Sequence, residues 1–375
     1  MKKFFFLLPA VGLFACTPKY DGYTINATIT GIDSAMVVVA PQFRVDAEFD
    51  IPADTIQMVN GQFTLKNKLV TPEAYTVSIR ATPPVSFILY LENCAFTVTG
   101  DAGDPKSIVI TGGPYQTTVD SLSKAMIAAS ADYPSMEELN KEFSDPATTD
   151  ERKQELRALA GELYAKQNEV QTNYLEQNPT SRVAFSRFIQ SLGQIKSVTE
   201  IETQLAAFTD AFPEGAENRL IQHVNKVIAI MHSIQVGMPA PDFTMNDPKG
   251  NPITLSEFYP QYKVTMLDFW AAWCGPCRMF NPTLVTIYNK YHKQGFGILG
   301  VSFDRTEGEW IKAIADDKLI WPQVSELAFW DNTAAKLYYV RYIPQNIFID
   351  QNGIIVARQL EGDSIEEFLT EFLKK

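Results

Sequence analysis

Cys274 and Cys277 stand two residues apart in the stretch LDFWAAWCGPCRMF (267–280), just after an apolar run that carries a single acid, Asp268. Two thiols at that spacing can be half of a zinc site, a structural disulfide or a working redox pair. A structural zinc takes four ligands, whereas here no second C-x-x-C exists and His223, His232 and His292 are scattered along the chain. No metal is expected. The redox reading rests on position. The apolar run 263–270 reads as a strand and a helix is expected to start at Cys274. The first turn of a helix offers unpaired N–H groups and the positive end of the macrodipole, so a Cys274 thiolate is stabilised there and its pKa falls from about 8.5 toward neutrality. Cys277 falls one turn inward on the same side, where it can attack a mixed disulfide and release the product.

Other residues fit that chemistry. Asp268, between Leu267, Phe269 and Trp270, reads as a buried acid with a raised pKa, placed to take the proton from Cys277. Trp273 is expected to shield the thiols. Tyr342-Ile343-Pro344-Gln345 leads into a late strand; Pro344 has no N–H to give to a ladder, and if its peptide bond is cis the Ile343 backbone is left free to pair with a bound peptide.

The elements that must position these residues follow a mixed pattern. After Gly237-Met238-Pro239-Ala240-Pro241-Asp242-Phe243 come strand 263–270, the Cys274 helix, strand 296–303, a helix near 307–317, strand 345–350, an Asn352-Gly353 turn, strand 354–360 and a helix from Ser364. This describes an α/β sheet covered by helices on both faces. Trp310, Trp321, Phe329 and Trp330 are read as core, with a partner-binding face beside the thiols as the sharper alternative.

The chain ahead of it divides by pattern. From Tyr23, Ile25, Ala27 and Ile29 alternate with Thr24, Asn26, Thr28 and Thr30, the mark of a half-buried strand. Similar runs lie at 35–40, 55–59, 62–66, 75–80, 85–91, 95–99 and 107–111, and Asn60-Gly61 supplies a tight hairpin turn. An all-β sandwich or barrel is expected over 21–112. Cys94, beside Tyr90, Leu91 and Phe96, reads as a small buried hydrophobe. Residues 113–232 read as a helical segment, with a long helix capped by Asp150 and ended by Asn178-Pro179, then helices at 180–192, 199–209 and 217–232.

The opening bounds the compartment. Lys2-Lys3 and the apolar stretch 4–15 fall short of a membrane span and fit a signal peptide over 1–15. Ala15 before Cys16, with polar residues after it, resembles a lipobox in which Cys16 is lipidated, so a membrane-attached lipoprotein of the cell envelope is expected. The net charge of −12 argues against nucleic acid.

The LDFWAAWCGPC stretch, the Ile343-Pro344 pair and the closing hairpin and helix resemble thioredoxin. VGMPAPDF (236–243) and the enlarged segment before Pro344 resemble its exported, AhpC/TSA-related TlpA/ResA-like branch. The resemblance covers 233–375. It implies a thioredoxin fold, a Cys274–Cys277 disulfide, Cys274 as nucleophile, Cys277 as resolving cysteine, Asp268 as buried acid and Pro344 as the cis-proline. Trp273, Gly275, Pro276 and Ile343 would face the substrate. No cofactor is needed, because the dithiol itself carries the electrons. The implied partners are disulfide-containing proteins and a membrane thiol relay as electron donor, in the periplasm of a Gram-negative envelope. Peroxiredoxin relatives need a Thr ahead of their cysteine, and Trp270–Trp273 offers none. The 21–112 region resembles an uncharacterised β-domain found ahead of thioredoxin modules. A ligand- or partner-binding lipoprotein with a tethered redox module, and a disulfide isomerase, are the competing readings.

Overall fold

The computed structural model describes residues 21–374 apart from 44, 46 and 196; the expected signal peptide and Cys16 lie outside the described residues. The chain divides into two compact units, one of residues up to Phe188 with Ala211–Leu220, the other of Ile189–Asp210 with Ile221 onward.

In the first unit β1 (Tyr23–Thr30), β2 (Ser34–Pro41), β3 (Asp54–Val59), β4 (Gln62–Asn67), β5 (Glu73–Arg80), β6 (Val85–Leu91), β7 (Ala95–Asp101) and β8 (Asp104–Thr111) join in one sheet, in the order β6-β5-β2-β3-β4-β1-β7-β8. All neighbours run antiparallel except β1 and β7. The edge strands β6 and β8 approach one another, so of sandwich and barrel the chain forms a nearly closed barrel. Its inside is the alternating set seen in the sequence: Tyr23, Ile25, Ala27 and Ile29 are buried, with Val37, Val39, Val77, Ile79 and Phe96. Asn60 and Gly61 both hold positive φ, at 51° and 70°, between β3 and β4, and a Cβ on Gly61 would sit 2.6 Å from the Ile29 carbonyl oxygen. Cys94 is half-buried against this core, and burial, then Glu92, pushes its thiol up to about 11, the behaviour of an inert cysteine.

Residues 113–232 hold α1 (Pro114–Ala129), α2 (Met136–Phe143), α3 (Asp150–Gln177), α4 (Arg182–Ser191), α5 (Val198–Ala211) and most of α6 (Arg219–Ser233). The α3 cap is Thr149 rather than Asp150. Thr149 is extended and its Oγ1 accepts from the Arg152 amide at 3.2 Å, which leaves Asp150 in the first turn. At the start of α6 the buried Arg219 guanidinium donates twice to Glu73 at 2.6 Å and again to the Phe43 carbonyl at 3.1 Å. Burial holds the Glu73 carboxyl above its usual range, with Arg219 opposing that rise. Removing one partner strands the other charge. Arg219→Met is therefore expected to cost about 3–5 kcal/mol in urea unfolding followed by far-UV circular dichroism; a loss below about 1 kcal/mol would mean that the pair is solvated.

The second unit carries β9 (Thr244–Asn246), β10 (Pro252–Thr254), α7 (Leu255–Phe258), β11 (Val264–Trp270), α8 (Gly275–Tyr291), β12 (Phe296–Ser302), α9 (Glu307–Asp316), β13 (Gln323–Ser325), α10 (Thr333–Leu337), β14 (Gln345–Asp350), β15 (Ile355–Arg358) and α11 (Asp363–Phe372). The sheet order is β10-β9-β13-β12-β11-β14-β15, parallel across β13, β12 and β11 and antiparallel outward from β11 through β14 to β15. Every residue of β11 and β12 is buried, so both faces of the sheet are covered. This is the thioredoxin arrangement, with short strands β9, β10 and β13 added at one edge.

Candidate active site

The central strand β11 delivers the chain to the site. Trp270 ends it, Ala271–Trp273 turn, and Cys274 becomes the N-cap of α8. Its Sγ accepts from the Cys277 amide at 3.2 Å, and the two sulfurs are joined as a disulfide. Pro276 sits in the first helical turn, where a missing N–H costs nothing. Both cysteines are buried, while Gly275 and Pro276 between them are exposed, and a Cβ on Gly275 would meet nothing within 4 Å. The site thus shows the solvent a helix start with a disulfide behind it.

The turn before Cys274 is held from beneath. Asp304, fully buried just past β12, accepts from the Ala272 amide at 3.1 Å and from Ser302 Oγ at 2.8 Å. Arg278 donates to the Ala272 carbonyl at 3.2 Å and to Asp317 at 2.5 and 2.8 Å. Its charge is therefore offset by a carboxylate rather than left to act on the Cys274 sulfur.

Asp268 lies in the middle of β11, 3% exposed, opposite Asn346 on β14 and Gly300 on β12. Burial pushes its carboxyl up to about 7, and Oδ2 has no hydrogen-bond partner among the described residues. A carboxyl so placed exchanges its proton near neutral pH, the property of a general acid or base.

The Ile343-Pro344 peptide bond is cis and leads directly into β14, beside the end of β11. Trp273 is half exposed; its Nε1 donates to the Phe303 carbonyl at 3.2 Å and its ring packs on Phe329 and Trp330 at 5.2 and 6.2 Å between centroids. The four aromatic residues beyond β12 therefore divide. Trp310 and Trp321 are buried core, and Phe329 and Trp330 are half-buried at the site, with the Arg305 guanidinium 3.9 Å above Phe329.

Sequence reasoning missed Asp304, Asp317 and the pair Gly300 and Gln323. The only signal for Asp304 was a lone acid closing the apolar run 296–303. Among the described residues no group of His, Cys, Asp and Glu is placed to hold a metal.

A dithiol capping a helix that follows the central strand of such a sheet, with a buried acid on that strand, defines a thioredoxin-like thiol-disulfide oxidoreductase. Residues 236–358 match the AhpC/TSA family and residues 23–118 match a domain of unknown function, DUF4369. The thiol-disulfide oxidoreductase ResA of Geobacillus kaustophilus is 32% identical over 140 residues, which cover 36% of this chain and 78% of that protein. The ResA of Bacillus thuringiensis subsp. konkukian is 29% identical over 142 residues, 38% of this chain and 79% of that protein. The thioredoxin domain of a thiol-disulfide oxidoreductase from Bacteroides vulgatus is 37% identical, covering 38% of this chain and 99% of that one, at a TM-score of 0.35. The chain belongs to the ResA-like thiol-disulfide oxidoreductases of the AhpC/TSA family, with a DUF4369 domain ahead of the redox module.

Proposed function

We propose that the protein is a lipid-anchored reductant of protein disulfides, working in the periplasm of a Gram-negative envelope and recharged by a membrane thiol relay. In this reading Cys274 attacks a client disulfide, Cys277 resolves the mixed disulfide, Asp268 takes the Cys277 proton, and Trp273, Gly275, Pro276, Ile343 and the cis-proline Pro344 present the client chain. Lipidation of Cys16 after removal of residues 1–15 supplies the anchor.

The observation that carries the direction of electron flow is the Cys274 cap itself. The sulfur receives one N–H of α8 and the helix dipole, and Arg278, the nearest cation in sequence, is neutralised by Asp317. A thiolate stabilised only that far keeps the disulfide hard to reduce. Strong oxidants near −120 mV owe their potential to a far more stabilised thiolate, and thioredoxin, with the same G-P pair, stands near about −270 mV.

Equilibrating the full mature chain in glutathione buffers should give a potential below about −220 mV, and a value above about −160 mV would make it an oxidase or isomerase. The anchor is tested separately. The wild-type chain made in a bacterial host should partition into detergent and Cys16→Ala should not; wild-type protein in the aqueous phase would mean that Cys16 is not lipidated.

A further inference from the structure

Asp268, Gly300 and Gln323 lie side by side across β11, β12 and β13. Residues in register on adjacent strands point to the same face, so the three share one face of the sheet. Gly300 in the middle leaves open the space through which the Gln323 side chain reaches toward β11. A Cβ there would be 2.0 Å from Gln323 Oε1 and 2.8 Å from its Nε2. The glutamine side chain therefore lies across β12, over the glycine, toward β11.

Its orientation is fixed by Trp270, two residues beyond Asp268 and on the same face. The indole Nε1, a donor only, gives its hydrogen to Gln323 Oε1 at 2.9 Å, so the other end of the amide is the NH2. That Nε2 is buried with no partner among the described residues, and Asp268 Oδ2 is likewise buried and unpartnered. One orphan is a donor and the other an acceptor. Each unmade bond costs about 1–3 kcal/mol. A hydrogen bond between them, direct or through a water, would satisfy both.

We propose that Gln323 is a positioning residue for the proton transfer at Asp268, its amide hydrogens solvating the carboxylate form. This rests on the function proposed above. In the resolving step the Asp268 carboxylate takes the Cys277 thiol proton. The Cys277 thiolate attacks Cys274 Sγ, the Cys274–Cys277 bond forms, and the bond from Cys274 to the client sulfur breaks. The client sulfur leaves as a thiolate with the electron pair and is protonated by the proton that Asp268 gives back. The client gains two electrons, and the protein dithiol becomes a disulfide. An N–H aimed at the carboxylate favours the ionised base and sets the pH at which the step begins.

Two variants test this in the full chain. Gln323→Leu deletes the donor, and Gly300→Ala leaves it in place but denies it the path across β12. The carboxyl carbon of Asp268 is followed by NMR in aspartate-labelled, reduced protein, assigned by its disappearance in Asp268→Asn. In either variant its titration midpoint is expected to rise by about one pH unit, with the half-rate pH of client reduction rising in parallel, a tenfold loss below the midpoint. A midpoint unmoved or lowered in a folded variant overturns the proposal. Because the carboxyl signal needs no client, a shifted midpoint in a protein that reduces no client would sink the proposed function and leave the Gln323–Asp268 coupling standing.

Discussion

Cys274→Ser is expected to bring disulfide reduction down to the uncatalysed rate, while Cys277→Ser still attacks and then stalls as a covalent mixed disulfide. The asymmetry comes from the local fold. Cys274 caps α8, receives the Cys277 amide hydrogen and adjoins the exposed Gly275 and Pro276, whereas Cys277, buried like Cys274, sits one turn further into the helix. A serine hydroxyl at the cap keeps the hydrogen bond but not the nucleophile, because only a thiolate is both ionised near neutral pH and able to exchange with a disulfide. Turnover of a protein disulfide with Cys274→Ser should fall by at least about 10³-fold. Cys277→Ser expressed in cells should migrate as disulfide-linked adducts that collapse under reductant. Adducts trapped instead by Cys274→Ser, with Cys277 as the linked residue, would reverse the roles.

Asp268→Asn should slow resolution by roughly 10²-fold, as expected when a positioned general base is lost, and should also change how stability depends on pH. The folded carboxyl titrates at about 7, above its ordinary value, because of burial. A raised acid binds its proton more tightly in the folded state, so between about pH 4 and 7 folding is favoured by protonation and weakens as pH rises. Moving the midpoint from its ordinary value near 4 to about 7 corresponds to about 4 kcal/mol, fully felt above pH 7 and absent below pH 4. The variant should gain stability over wild type by about that much more at pH 8 than at pH 4. The five tryptophans all lie between Trp270 and Trp330, so their fluorescence during urea unfolding reports on this unit. The same difference at both pH values would mean that Asp268 is solvated in the folded protein.

What was legible in the sequence is what local pattern controls. The alternation from Tyr23 gave the barrel strands, and the largely apolar run 264–270, broken only by Thr265 and Asp268, gave a strand covered on both faces with its acid buried. The C-G-P-C spacing at a strand-to-helix junction placed both thiols. Adjacent good caps were harder: Thr149 and Asp150 differ little in propensity, and only the extended backbone at Thr149 decides between them. Strands of three residues, β9, β10 and β13, are too short for any periodicity to show. Gly300 and Gln323 were illegible for a different reason. Their meaning lies in a register across three strands, in which residues 268, 300 and 323 become neighbours, and no window of sequence contains all three.

The two thiols are expected to be chemically unequal, and alkylation of the fully reduced chain measures that directly. Iodoacetamide labelling at a series of pH values, read by mass spectrometry of the peptide containing Trp273–Arg278, reports each thiolate separately. Cys274 is expected to label with a midpoint well below about 8.5, and Cys277, buried one turn further into α8, to resist until higher pH. Equal labelling rates of Cys274 and Cys277 at pH 6 would contradict it.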